Sequence, residues 1–331
     1  MPDIVIGANG DIHILERSDR TIRVFDRDGL FLRSIGGEGD GPGEFRRPLH
    51  MALSEDSLLV FERDRYHVFS LDGRTLMSGR YVDAPRGLLS VRDARWTEQG
   101  FTIVEERAGI LRRQERFVDT MYTWRFDPSS GALDGPLWKV VEPDRFIVGV
   151  GVLSEMYAHR PPVGLAHDGN VLIAPTSAYE VSVALSDGAL GRTIGRSDVE
   201  RIAVTDAMSE AEIDRQVAWY EESAGPDANT RLRDMWNESR SLGHAEYRPI
   251  VGSIMTDRAG WMLVMRSDLD PRPFEQDDAT PWDVFRPDGD FQGQFRAEPG
   301  VRLLTMDYPY VYGTALDELD ITYVIRYEIV G

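Results

Sequence analysis

The sequence predicts an all-β chain folded as a six-bladed β-propeller. Its blades are four-stranded and antiparallel, the last one three-stranded, with a helical insertion between blades four and five. Three observations carry this. Tight-turn dipeptides recur at Asp28-Gly29, Asp72-Gly73, Ser130-Gly131, Asp187-Gly188 and Asp288-Gly289. The interval from Asp28 to Asp72, 44 residues, matches one four-stranded blade, and the later intervals of 58, 57 and 101 residues read as that unit plus insertions. A second series of turns precedes each second strand, at Ala8-Asn9-Gly10, Ser54-Glu55-Asp56, Glu98-Gln99-Gly100, His167-Asp168-Gly169 and Asp257-Arg258-Ala259-Gly260. The segments between turns alternate, as where Ile22 and Val24 flank Arg23, so each has an apolar face.

The elements follow in order. Blade one takes strands near 4–6, 11–16, 21–25 and 30–35, where Asp28-Gly29 supplies the positive φ that a hairpin turn needs. Blade two takes 49–53, 57–62, 66–70 and 74–81. Blade three takes 90–96, 101–106, 119–126 and 136–142. Blade four takes 161–166, 170–174, 179–185 and 190–195. Blade five takes 250–256, 260–266, 282–286 and 290–296. Blade six has only 301–306, 309–313 and 320–329, in which Ile321, Tyr323, Ile325, Tyr327 and Ile329 alternate with other residues. The missing outer strand leaves an edge needing cover. It also raises the expectation of an upstream strand, with an export signal and an extracytoplasmic setting, set against a three-stranded last blade. Residues 205–242 read as the helical insertion: Ser209-Glu210-Ala211-Glu212 resembles a capping box, followed by Ile213, Val217 and Tyr220 on one face. The whole chain, 1–331, reads as a single propeller.

Composition narrows the partners. The net charge is −19, from 37 basic and 56 acidic residues, and Lys139 is the only lysine. That balance repels phosphate backbones, which argues against nucleic acid. No stretch approaches the roughly 20 apolar residues of a helical membrane span. Zero cysteines exclude disulfides and thiolate sites.

The run Gly36-Gly37-Glu38-Gly39-Asp40-Gly41-Pro42-Gly43-Glu44-Phe45, with Pro48, resembles the inter-blade signature of NHL-type six-bladed propellers. The strand pair ILERSDRTIRVF and the turn FDRDG fit the same family, and the tail from WDVFRPDG onward is similar to that of uncharacterised bacterial six-bladed propellers. The resemblance implies the fold and carries no catalytic residue with it.

Strand bookkeeping places the expected site. Loops joining strands one to two and three to four are short and share one face. Loops joining strands two to three, and blade to blade, share the other and hold every insertion: 36–48, 107–118, 143–160, 196–249 and 267–281. Insertions gathered on one face predict a small-molecule site there. Glu16, Glu62 and Glu105 end second strands at matching repeat positions, where each can bond the following turn or hold a divalent cation such as Ca²⁺. Asp268, Asp270 and Asp320 could add oxygens. His50 and His159 enter innermost strands and are candidate general bases or metal ligands, or hydrogen-bonded channel lining. Arg160, Arg248 and Arg266 suit an anionic ligand, or pair with surplus acids. Trp219, Tyr220 and Trp236 form either an apolar lid or a packed rim. His13, His67 and His167 are set aside, the last because it belongs to the short-turn face.

Two functions follow from this expected site. One is metal-assisted hydrolysis of a small ester, of lactone or phosphotriester type, by fold-level analogy with gluconolactonases, paraoxonases and diisopropylfluorophosphatase. The other is a non-catalytic binding propeller recognising a peptide, glycan or protein on the same face. No GxSxG, HExxH, P-loop or dinucleotide motif occurs.

Overall fold

Alternating apolar residues on both faces of each sheet force the blades to stack, since no four-stranded sheet can bury two faces alone. The computed structural model describes residues 2–82, 84, 90–107, 116–143, 145–148, 151–175, 177–185, 189–223, 234–238, 240–267, 279–319 and 321–330. It shows six blades. Blade one is β1 (Asp3–Ile6), β2 (Ile12–Glu16), β3 (Thr21–Phe25) and β4 (Phe31–Ile35). Blade two is β5 (His50–Leu53), β6 (Ser57–Phe61), β7 (Tyr66–Ser70) and β8 (Thr75–Gly79). Blade three takes β9 (Val91–Thr97), β10 (Gly100–Arg107), β12 (Thr120–Asp127) and β13 (Ala132–Val141). The insertions beside blade three contribute β11 (Arg116–Phe117), β14 (Arg145–Val148) and β15 (Gly151–Leu153), which pair into a small sheet of their own that the repeat did not predict.

Blade four is β16 (Val163–Leu165), β17 (Val171–Ile173), β18 (Glu180–Ala184) and β19 (Leu190–Gly195). Blade five is β20 (Val251–Thr256), β21 (Met262–Arg266), β22 (Pro281–Phe285) and β23 (Phe291–Arg296). Blade six holds β24 (Arg302–Asp307), β25 (Tyr310–Leu316) and β26 (Thr322–Glu328), three strands as the sequence predicts. Helix α1 (Asp206–Ser223) lies between blades four and five, followed by a short helical stretch at 234–238 and a 3-10 turn, Arg240–Leu242. The helix starts earlier than the capping-box reading. Thr205 is its cap, its hydroxyl accepting the Met208 N–H at 3.2 Å, and Ser209 and Glu212 lie inside the helix.

A recurring wedge builds the core. In each of the first five blades an apolar side chain of the fourth strand enters the seam with the next blade. These are Ile35, Met77, Val140, Ile194 and Phe295. Ile35, for example, meets Phe45, Met51, Leu58 and Phe69 of the blade-two side. Burying such a residue stabilises by about 1.5–3 kcal/mol. Among the described residues the seam between blades six and one has no such contribution and is closed by Ile4, Ile12, Ile14, Tyr312 and Val324, from the first two strands of blade one and the second and third of blade six.

His13 sits inside blade one with 2% exposure, and among the described residues neither ring nitrogen has a hydrogen-bond partner. Burial, assisted by the nearby Arg33 charge, lowers its pKa from 6.5 to about 4. The folded ring stays neutral to about pH 4, whereas the unfolded one protonates near pH 6.5. Its effect on stability is therefore absent above pH 6.5, grows as pH falls through that window, and reaches about 3 kcal/mol of lost stability at the bottom. We predict that His13→Leu flattens the decline of the melting midpoint between pH 6.5 and 4. An unchanged slope in this variant would refute that origin.

Candidate functional site

The acids at the ends of second strands are already engaged. Glu62 is buried beyond β6. One of its oxygens accepts the main-chain N–H groups of Arg46, at 2.6 Å, and of Arg47. The other accepts from the Arg65 guanidinium and lies 3.5 Å from His67 Nε2. His67 Nδ1 takes the Gly43 N–H at 3.2 Å and the Ser78 hydroxyl at 2.7 Å, which leaves Nε2 as the protonated nitrogen facing Glu62. Burial opposes the charge on Glu62, but the bonds from His67, Arg47 and Arg65 outweigh it and hold the pKa at about 2. Arg65 also donates to the carbonyls of Asp40, Gly39 and Glu44, so this cluster clasps the glycine-rich linker between blades one and two. Glu105 similarly accepts from Arg107 at 3.0 Å and from Trp124 Nε1 at 2.9 Å.

Glu16 lies apart from both, in a side cleft between blades one and six. Among the described residues no three His, Asp or Glu side chains converge to hold a metal ion. The donor set Glu16, Glu62 and Glu105 therefore does not fit the divalent cation expected of it. The supplementary acids Asp268, Asp270 and Asp320 lie outside the described residues.

The remaining candidates disperse along the long-loop side. His50 Nδ1 stands 3.6 Å from Asp3. His159 Nε2 donates to the Ala174 carbonyl at 2.8 Å while its buried Nδ1 has no partner among the described residues, and burial lowers its pKa. Arg160 is exposed. Arg248 lies over the Tyr157 ring, at 5.5 Å. Arg266 is buried over Tyr179, 3.5 Å from Asp283, a carboxylate that also accepts the Tyr179 hydroxyl at 2.6 Å and Arg196 at 3.2 Å. Trp219 is exposed and Trp236 half-buried. None of these seven lines either of the two cavities described here.

The larger cavity, about 550 Å³, runs down the central channel and opens on the short-turn face, opposite the insertions. All six blades line it. Asp3 to Ile6 and Ala8 come from blade one, Met51 to Glu55 from blade two, and Asp93 to Trp96 with Glu98 from blade three. His167 is the lining residue from blade four, Thr256 to Arg258 belong to blade five, and Leu304 to Asp307 to blade six. Six carboxylates line it, Asp3, Glu55, Asp93, Glu98, Asp257 and Asp307, against two guanidiniums.

Both guanidiniums are committed to main-chain carbonyls across the channel. Arg95 of blade three donates to the Thr256 carbonyl and hydroxyl of blade five at 2.5 and 2.6 Å. Arg258 of blade five donates to the Ile6 carbonyl of blade one at 2.7 Å. Burial raises the Asp257 pKa, against bonds from the Tyr308 and Trp261 N–H groups, and neighbouring Asp307 raises it further. Of these lining residues the sequence singles out His167 alone as a site candidate, and loop length sets it aside. The usable signal was charge inside innermost strands and the turns after them, as in Asp93-Ala94-Arg95 and Asp257-Arg258.

Comparison with known proteins bears on the fold. A family model described as a 6-bladed beta-propeller matches residues 3–85. No curated protein sequence matches the chain. Among solved structures, a member of the duf4221 family from Bacteroides vulgatus is 10% identical, with 99% of this chain and 93% of that chain covered, at a TM-score of 0.51. A luciferin-regenerating enzyme is 9% identical over 100% of this chain and 91% of that chain, with a TM-score of 0.45. Virginiamycin B lyase from Staphylococcus aureus is 9% identical over 98% and 83%, with a TM-score of 0.40. At these identities the likeness is one of fold alone.

The Glu62 clasp yields a direct expectation. Glu62→Gln should lower unfolding stability by about 3 kcal/mol, because it strands the buried Arg65 charge. Chemical denaturation measures this, and a stability within about 0.5 kcal/mol of the parent would show that Glu62 is not a structural clasp.

Proposed function

We propose that this chain is a ligand-binding propeller that takes a small, positively charged organic molecule into its central channel through the short-turn mouth. The single observation behind the reading is the cavity of about 550 Å³, lined from all six blades with six carboxylates and two cross-bonded arginines. Its volume is that of an ordinary small-molecule pocket. Six carboxylates against two guanidiniums leave a surplus of negative charge that an ammonium or guanidinium can neutralise, and Arg95 and Arg258 are themselves held on carbonyls. The glycine-rich linker and turn grammar support an NHL-type repeat for the first two blades, a class of interaction platform, and so favour binding over turnover.

Metal-assisted hydrolysis of a lactone or phosphotriester on the long-loop face is the second reading. One observation favours it: the buried, unpartnered Nδ1 of His159 on that side. It lacks a fitting set of metal donors among the described residues.

A thermal melt discriminates. Agmatine and putrescine should raise the melting midpoint saturably, succinate should not, and Asp307→Asn should weaken the response about tenfold. No response to either cation would overturn the channel as a cation site. A saturable shift with Ca²⁺ alone, unaffected by Asp307→Asn, would favour the hydrolytic reading instead.

A further inference from the structure

Among the described residues no fourth strand occupies the seam between blades six and one, which holds a prepared seat. In two other seams the fourth-strand wedge lies beneath the turn glycine of the next blade. A Cβ on Gly73 would come 3.0 Å from Ile35, and one on Gly289 3.2 Å from Ile194. At the corresponding Gly29, whose φ is +85°, nothing among the described residues stands within 4 Å of such a Cβ. A cleft of about 460 Å³ opens there, with Ile14, Phe25, Gly29, Val324 and Arg326 among its walls. Large apolar side chains are also exposed on β4, on β26 and next to β26 in sequence: Phe31 at 57%, Leu319 at 78%, Ile321 at 57%, Tyr323 at 48% and Val330 at 82%.

The edge of β26 is also open in a defined way. Ile329 N–H bonds the Pro309 carbonyl and Ile321 accepts from Asp317, so odd-numbered residues face β25. Thr322, Val324, Arg326, Glu328 and Val330 therefore turn their main-chain groups outward, as an edge ready for another strand.

We propose that a second copy of this chain supplies the missing fourth strand, its β26 pairing antiparallel with this β26 about a two-fold axis. The strand is self-complementary. With the axis at Tyr327, Val324 faces Val330, Ile325 faces Ile329 and Arg326 faces Glu328, each pair occurring twice by symmetry. An axis at Arg326 would oppose two guanidiniums, and one at Ile325 would set Arg326 against Val324. Charge therefore selects Tyr327. Val324 is the β26 residue packed in the seam with blade one, as Ile22 of β3 is packed in the seam with blade two, and Ile22 is the residue paired with the wedge Ile35. The second copy's Val330 then falls at the wedge position, over the cleft by Gly29.

Light scattering on the eluting protein over a wide concentration range tests this. A dimer is expected. Arg326→Glu and Glu328→Arg should each weaken it about tenfold, and the double change R326E/E328R should restore it. Circular dichroism and the melting midpoint of each variant separate a lost dimer from a lost fold, and recovery in the double variant cannot arise from damage. A monomer at every concentration overturns the proposal. So does a dimer indifferent to both single changes, or a monomer whose edge takes up another protein's strand.

Discussion

The fold depends on burial between sheets. A blade is apolar on both faces, so it is stable only where its neighbours cover it, and the ring is the arrangement in which every blade has two neighbours. Ile35, Met77, Val140, Ile194 and Phe295 each lock one blade to the next from its outermost strand. The seam closed without such a residue is also the seam with a side cleft, and β26 beside it carries the exposed Tyr323. Cleft, exposed side chains and open edge are three aspects of one missing strand.

Charged groups do two kinds of work around that core. On the long-loop side they fasten main chain: Glu62 and Arg65 gather the linker between blades one and two, and Asp283 ties Tyr179, Arg196 and Arg266 across blades four and five. In the channel, two arginines are spent on carbonyls while the carboxylates outnumber them. A chain with 19 surplus negative charges thus concentrates part of that surplus where low dielectric and converging walls make it most effective.

The architecture was largely legible because turn residues and period-two alternation are local. Asp28-Gly29 and its counterparts fixed the hairpins, and the three strands of blade six could be counted directly. The small β11–β14–β15 sheet was not legible, since strands of two to four residues in long insertions carry too little periodicity. The site was harder for a different reason. Loop length indicates where a chain can vary, whereas a cavity depends on which side chains six separate strands bring to one axis. Asp93, Arg95, Asp257 and Arg258 are far apart in sequence and unremarkable individually, and only closure of the ring makes them neighbours. The second-strand acids Glu62 and Glu105 repeat visibly, yet their partners Arg65, His67, Arg107 and Trp124 decide what they do.

The reach of Arg95 past blade four has a consequence for anything that enters the channel. Among the described residues blade four lends His167 alone to the wall, and the guanidinium crosses its side of the passage to reach Thr256. The well is therefore lopsided despite its sixfold scaffold: Arg95 spans blade four, Arg258 spans blade six, and the described lining carboxylates come from every blade but the fourth. A guest with charge at one end meets a single favourable heading instead of six equivalent ones. A near-symmetric frame has in this way become a vessel with handedness, able to tell the front of a molecule from its back.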